Sequence, residues 1–246
     1  TPADDAHGSD TITVTLSDNG GTANGGVDTS VPQTFTITIS PVADTPSITD
    51  ATTLEDTQSL TGLVISRNAV DGEEVTHFKV TDITNGSLYQ NDGTIQISDG
   101  DFITYTEGNA GLKFSPSGDF NGTASFKLQA SLSSADGGLG GAEVTASIAV
   151  TAVNDVPSFT VGSDESISED GGLQTVTGWA TGISTGPSDE SSQTLTFNIS
   201  GVNGSLFALE PSVSSSGELT YTPADDAHGS DTITVTLSDN GGTANG

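Results

Sequence analysis

Nearly all the side chains in this sequence that could do chemistry are carboxylates. The 246 residues include 33 Asp and Glu against 4 Lys and Arg, for a formal charge of −29, with no Cys and three His. Disulfides and thiolate chemistry are therefore excluded, and nucleic acid or an anionic membrane would be a poor partner. Two roles remain open for the acids: solvated charges that keep the chain soluble, or oxygen ligands gathered around divalent cations.

The placement of some acids favours cation binding. An adjacent Glu-Asp pair occurs twice, as Glu55-Asp56 and Glu169-Asp170, and each pair is followed later by an acid, Asp119 or Asp226. Ca²⁺ takes about 6–8 oxygen ligands from carboxylates, amides, backbone carbonyls and water. Asp164 and Glu165 fit either role. Turn chemistry, which Asp and Asn side chains favour, is the preferred interpretation for Asp92, Asp99, Asp101, Asn85, Asn121 and Asn203.

Catalysis is not expected. His7 and His228 are the same position in two copies of one segment, and His77 stands beside Phe78, so each is interpreted as a surface or turn residue. The Gly-rich stretches at 17–30 and 134–141 lack the Lys-Ser/Thr of a phosphate loop and are predicted to be long loops between the last two strands of a module.

The elements that must position the acids are predicted to be strands. Apolar residues alternate with polar ones, and Thr, Val and Ile dominate, as expected for half-buried strands. No segment shows a helical stripe, so an all-β fold is predicted, with Trp179 facing the core. The alternating runs lie at 11–17, 34–40, 124–132, 144–153 and 195–200.

The chain is also repetitive. Residues 1–25 recur letter for letter as residues 222–246, which suggests a window from a longer array. A weaker repeat lies inside: PVADTPSIT at 41–49 matches AVNDVPSFT at 152–160, and FSPSGDFNGTASFKL at 114–128 matches YTPADDAHGSDTITV at 221–235. Two diverged modules of about 110 residues, an ordinary sandwich size, are therefore predicted.

The ordered set of Glu-Asp, NGSL, YTP or FSP, DFNG and an N-D-x-P linker resembles bacterial cadherin-like repeats, the immunoglobulin-like modules of giant surface adhesins and biofilm proteins. This resemblance implies tandem seven-stranded Greek-key β-sandwiches joined end to end, with Ca²⁺ at the junctions. On this basis residues 45–155 form a complete module and residues 156–246 form a module that lacks its last strand. Residues 1–44 are the C-terminal strands of a preceding module.

The resemblance also implies two sets of Ca²⁺ ligands. At the second junction Ala43 stands where the first has Asn154, so one ligand fewer is expected there. The first set is Glu55, Asp56, Asp119, Asn154 and Asp155 with Asp189, Glu190, Asp239 and Asn240. The second set is Glu169, Asp170, Asp225 and Asp226, or their counterparts Asp4 and Asp5, with Asp44, Asp71, Glu73 and Asp136.

The function implied is structural: a Ca²⁺-rigidified extender of a large bacterial surface adhesin, extracellular, whose partners are the neighbouring modules of its own array. An alternative is a self-assembling extracellular filament or matrix protein that uses donor-strand exchange. In that case residues 1–44 of one copy complete the 156–246 module of another.

Overall fold

The computed structural model describes residues 1–3 and 5–243 and is almost entirely β. All five alternating runs form strands, as the sequence predicts. The chain divides into two compact units, Thr1–Thr151 and Ala152–Gly246. The finer division at 44/45 and 155/156 stays a prediction.

Within its described residues, 1–3 and 5–151, the first unit contains twelve strands and one short helix, α1 (Tyr105–Asn109). The strands are β1 (Gly8–Val14), β2 (Gln33–Ile39), β3 (Ser47–Ile48), β4 (Ala51–Leu54), β5 (Ile65–Ser66), β6 (His77–Thr84), β7 (Gly86–Tyr89), β8 (Gln96–Ile97), β9 (Phe102–Thr104), β10 (Lys113–Pro116), β11 (Gly122–Ser131) and β12 (Leu139–Thr151).

As far as residue 243, the second unit contains seven strands: β13 (Ser158–Thr160), β14 (Gln174–Val176), β15 (Thr181–Ser184), β16 (Thr196–Ser200), β17 (Phe207–Val213), β18 (Leu219–Pro223) and β19 (Thr234–Ser238). Single 3₁₀ turns occur at Ala23–Gly25, Asp136–Gly138, Ser188–Glu190 and Gly204–Leu206.

A closed core fills the first unit. A five-stranded sheet in the order β4-β12-β11-β6-β9 is accompanied by a three-stranded sheet, β10-β7-β8, and by the pair β3-β5. Alternate residues of β11, including Phe126 and Leu128, are fully buried, and Ile148 of β12 is buried beside them. The alternation in the sequence therefore corresponds to one face packed on the core and one facing water.

Helix α1 was not predicted. Its cap is local: the Glu107 N–H donates to the Thr104 hydroxyl, and the Thr104 N–H donates to the Glu107 carboxylate. Five residues are too few to show a helical stripe. The loop predicted at 134–141 is also shorter than expected, because β12 already begins at Leu139.

The leading segment forms a hairpin in which β1 pairs antiparallel with β2. Gly8 lies opposite Ile39 and Val14 lies opposite Gln33. Phe35 and Ile37, at the centre of β2, stay 51% and 47% exposed. The two strands thus hydrogen-bond to each other but carry apolar side chains that little protein covers.

The second unit is more open than the first. Its sheets are β14-β18-β17, β13-β15 and β16-β19. Among its described residues the buried apolar side chains are Ala180, Leu219 and Tyr221. An interior cavity of about 1150 Å³ opens between the strands. Trp179, predicted to face the core, is half-buried on the cavity wall, and its Nε1–H donates to the Ser163 carbonyl at 3.1 Å.

Candidate metal centres

The same acidic corner occurs in both units. In the first unit the Asp119 N–H donates to Asp56 Oδ1 at 3.1 Å, and in the second the Asp226 N–H donates to Asp170 Oδ1 at 3.1 Å. All four residues have positive φ, between 54° and 60°. Asp tolerates this left-handed region better than most residues. Because the modules have diverged widely, retention of both the residues and the backbone shape indicates that this corner is a specific feature.

The corner of the first unit concentrates charge at the end of its exit strand. Carboxylate oxygens of Asp56 and Asp119 lie within 4.8 Å of each other. Glu55 is only 2% exposed, and its N–H donates to the carbonyl of Thr151, the last residue of β12, at 2.9 Å. Like charges this close repel each other, so a bound cation would stabilise the pair.

The matching corner of the second unit is more exposed. The Glu169 carboxylate lies 3.8 Å from Nδ1 of His228, and Asp225 and Asp226 are both exposed. In the leading segment Asp5 repeats the positive φ, at 59°. Asp4, which was predicted as a ligand, lies outside the described residues.

A second kind of cluster lies at the start of the second unit. The Asp155 N–H donates to Glu190 Oε1 at 2.8 Å, and the Asn154 side-chain amide donates to Asp239 Oδ1 at 3.1 Å. The Gln193 amide donates to Asn154 Oδ1 at 2.7 Å. Four of the predicted ligands, together with Gln193, are thus brought together by residues far apart in the sequence.

Two oxygens of this cluster have unused acceptor capacity. Glu190 is 5% exposed, and its Oε2, like Oε1 of Gln193, is buried with no hydrogen-bond donor among the described residues. A buried acceptor without a partner is costly, and a hard cation would satisfy it. Glycines line this pocket: a Cβ on Gly186 would lie 2.1 Å from Glu190 Oε2, and one on Gly241 would lie 1.6 Å from Asn154 Oδ1.

Two other predicted ligands at this end have different surroundings. Asn240 Oδ1 accepts the Thr194 N–H at 2.7 Å, so this oxygen already closes a loop. Asp189 is exposed on the 3₁₀ turn Ser188–Glu190. Gln193 was missed because a lone Gln carries no signal in a sequence. Its spacing of three residues from Glu190 is the one feature of the sequence that could have placed Gln193 beside that predicted ligand.

A smaller acidic pocket of about 240 Å³ lies in the first unit, lined by Asp5, Asp44, Asp71 and Glu74 among others. The Asp44 N–H donates to both Asp71 oxygens at 3.2 Å. Burial raises the pKa of Asp71, and the charges of Asp44 and Glu74 add to this, against the hydrogen bond from Asp44. Three of the predicted ligands therefore do meet.

Glu74 was not predicted at this pocket. The Gly72 N–H donates to its Oε1 at 2.7 Å, and this hydrogen bond lowers the pKa of Glu74. Glu73, predicted in its place, is exposed and does not line the pocket. Asp136 forms an ion pair with Lys79 at 2.6 Å, so its charge is already compensated.

Most of the predicted turn residues close turns. Asp92 accepts the N–H groups of Thr94 and Ile95, and Asp101 accepts that of Ser98. Asn203 likewise accepts the N–H of Ser205, and Asn85 has the positive φ of a turn residue, 58°. Asp99 instead accepts the N–H of Ile83, a long-range hydrogen bond, so its turn role stays a prediction. For Asn121 the turn role stays a prediction.

The short strands arranged in packed β-sheets are typical of the immunoglobulin-like sandwich class. Residues 150–246 match the family described as Bacterial Ig domain. The predicted resemblance to bacterial immunoglobulin-like modules is therefore confirmed for this part of the chain. No enzyme family is indicated.

Comparison with solved structures concerns the fold alone. The human desmocollin-1 ectodomain is 14% identical, with a TM-score of 0.39 over 88% of this chain, which spans 40% of the length of that ectodomain. Human CDH23 EC21-23 is 14% identical, with a TM-score of 0.42 over 85% of this chain and 69% of that one. Domains 1–6 of the surface layer protein SbsC are 12% identical, with a TM-score of 0.29 over 94% of this chain and 26% of that one.

No curated protein matches the chain. Within the part of the chain that the structure describes, none of the helices is long and apolar enough to cross a membrane.

Proposed function

We propose that this chain is a spacer segment of a large bacterial surface protein, located outside the cell, and that Ca²⁺ held at the ends of its modules stiffens it. The observation that carries this proposal is the buried Glu190 carboxylate, whose Oε2 has no donor among the described residues. The paired acidic corners and the bacterial Ig domain match support it. Adhesion and biofilm formation are the roles that such a spacer serves.

At the start of the second unit, the residues present fit a Ca²⁺ ion. Glu190 Oε2 and Gln193 Oε1 are buried acceptors, and Asp239 adds a carboxylate. The backbone N–H of Asp155 and the amide of Gln193 hold their neighbours in place by hydrogen bonds. The ion would supply positive charge, which lets these oxygens stay together without repulsion.

The linker connects the two kinds of cluster along the chain. Glu55 is tied to Thr151, and Asn154 and Asp155 follow Thr151 by three and four residues. An extended residue spans at most about 3.6 Å, so the linker is short. We therefore propose two groups of Ca²⁺ ligands that are close together along the chain, Glu55, Asp56 and Asp119 in the first unit and Asn154 and Asp155 in the second. Ion binding at both groups would hold the linker residues in place.

The test is thermal unfolding of the 246-residue chain in millimolar Ca²⁺, in chelator and in Mg²⁺. Ca²⁺ should raise the melting temperature, since an ion at about 100 times its Kd adds about 2.7 kcal/mol. Mg²⁺ should raise it less, because Mg²⁺ demands small octahedral sites and keeps its waters. Small-angle scattering should show a shorter, more flexible particle in chelator. Equal melting and scattering in all three conditions would leave the acids a solubility role only.

A further inference from the structure

Residues 40–46, the leading linker, join the β1–β2 hairpin to the sandwich built from β3 to β12. Ala43 is 1% exposed and belongs to the same buried cluster as Val80 and Leu128. Pro46 is also buried. Linkers between modules usually run over the surface, because buried backbone polar groups need hydrogen-bond partners. Burial of the leading linker therefore requires a surface that receives its backbone closely.

Two adjacent glycines near the start of β12 provide this surface. A Cβ on Gly140 would lie 2.3 Å from the carbonyl oxygen of Ala43, and one on Gly141 would lie 2.3 Å from the backbone nitrogen of Thr45. Both collisions would be with backbone atoms, which cannot turn aside as a flexible side chain can. The close approach of the leading linker to β12 therefore needs glycine at both positions.

Hydrogen bonds hold the leading linker against these glycines. The Asp44 N–H donates to both carboxylate oxygens of Asp71 at 3.2 Å. Thr45 Oγ1 accepts the N–H of Ala142 at 2.8 Å, and the Thr45 carbonyl accepts the side-chain amide of Asn68 at 3.1 Å. None of the buried side-chain oxygens that lack a donor among the described residues belongs to this contact. Protein atoms therefore satisfy the contact without an ion.

The paired glycines occur in one of the two kinds of module. Strands β12 and β2 hold equivalent positions beside β11 and β1, with Val150 matching Ile39. Equal counts back along the chain lead from Val150 to the first of the two glycines, but from Ile39 to Thr29, which Ser30 follows. A Cβ at either position would collide with a linker held this closely. The contact is thus a property of the β3–β12 sandwich and not of the repeat in general.

The hairpin is tied to the buried part of the leading linker by a short segment. Strand β2 ends at Ile39, so only residues 40–42 separate it from Ala43. One of these is Pro41, whose ring fixes φ near about −65°. Residues 5–7 and 40–42 also face residues of the loop at 70–74 across the pocket of about 240 Å³. A linker that is fixed at Ala43 therefore restricts the hairpin as well.

We infer that the β3–β12 sandwich has a docking groove for the leading linker, and that residues 43–46 bound in it hold the β1–β2 hairpin in a fixed orientation without any ion. The groove accepts a small residue at position 43, because Ala43 is buried among core side chains. This inference does not rest on the proposed Ca²⁺ sites, since every contact that carries it joins two protein atoms. The groove is formed by Asn68, Asp71, Gly140, Gly141 and Ala142.

Amide hydrogen exchange of the 246-residue protein, measured by NMR in chelator and in millimolar Ca²⁺, tests the inference. In chelator the N–H groups of Asp44 and Ala142 should exchange at least about 100-fold more slowly than unprotected amides, because both are held in the docked linker. Protection of these amides only in Ca²⁺, or in neither condition, would overturn the inference. Calcium-dependent melting, which tests the Ca²⁺ proposal, can be present or absent without changing this result.

Gly140→Ala tests the groove itself. The added methyl group should displace the leading linker and speed exchange of the Asp44 N–H in chelator by more than about tenfold. Gly137→Ala, whose Cβ would have no atom within 4 Å, is the matched control and should exchange like the native chain. The amides of β11 should stay protected in both variants if the sandwich remains folded. A folded Gly140→Ala variant that exchanges at Asp44 like the native chain would contradict the groove.

Residual dipolar couplings report directly on the orientation of the hairpin. In chelator, the couplings of β1 and β2 in the native chain should fit the same alignment as those of β11 and β12. In Gly140→Ala they should need a separate alignment. If Gly140→Ala fails to fold, the native chain still decides the question, since separate alignments in chelator would overturn the inference.

Discussion

Glu190→Gln should change stability in opposite directions with and without Ca²⁺. In chelator, Glu190 Oε2 is a buried acceptor without a donor, and such a group costs about 1–3 kcal/mol. The substitution keeps an oxygen for the Asp155 N–H and removes the charge, so the metal-free variant should be more stable by up to that amount. For a domain of 60–100 residues, 1 kcal/mol moves the melting temperature by about 4–8 °C.

In saturating Ca²⁺ the native chain should gain about 2.7 kcal/mol or more, and the variant should gain much less because it has lost a charged ligand. The order of melting temperatures should therefore invert between the two conditions. Trp179 fluorescence reports on the second unit, which contains both residues. Glu210→Gln, an exposed position in the same unit, is the control and should change neither value by much. If Glu190→Gln shifts melting in the same direction in both conditions, Glu190 is not a Ca²⁺ ligand.

Three further predictions concern steric room, protonation and packing. Gly241→Ala should abolish the Ca²⁺-dependent stabilisation of the second unit, because the added methyl group would displace the side chain of Asn154. Gly137→Ala, whose methyl group would contact no other atom, is the control and should leave this stabilisation intact. Calorimetry in Ca²⁺ and in chelator measures both. Burial raises the pKa of Asp71 in the folded chain above its ordinary value of 3.8, so ionisation of Asp71 opposes folding. The free energy of unfolding therefore falls as pH rises from 3.8 through the folded-state pKa. In chelator, Asp71→Asn should therefore raise the free energy of unfolding at neutral pH by less than about 1 kcal/mol, and in acid the variant and the native chain should be equally stable. Denaturant unfolding at several pH values measures both. Leu128→Ala should lower the free energy of unfolding by about 2–5 kcal/mol, as measured in urea. Val235, the equivalent residue of the second unit, lines an open cavity, so Val235→Ala should lower it by less than about 1 kcal/mol. Equal losses would mean that the core of the second unit is closed.

Most of the features that could be predicted from the sequence depend on patterns among neighbouring residues. The runs 124–132 and 144–153 became β11 and β12 because a two-residue period is visible without knowing any partner strand. Glu55-Asp56 and Glu169-Asp170 were found because each pair is contiguous and occurs at matched places in two modules. Helix α1 was missed since its capping box spans only Thr104 to Glu107 and no stripe follows.

The sequence by itself determined the strands, the repeat and the acidic pairs, because these depend on neighbouring residues or on comparison of the chain with itself. Only the tertiary structure decided which oxygens share a site. It placed Glu74 rather than Glu73 on the pocket of Asp71, and it buried Oε1 of Gln193 as well as Oε2 of Glu190. In a loop adjacent residues point in different directions, and the difference is set by contacts with distant segments. For the same reason identical residues at 8–12 and 229–233 differ in structure, since a strand is completed by its neighbour across the sheet.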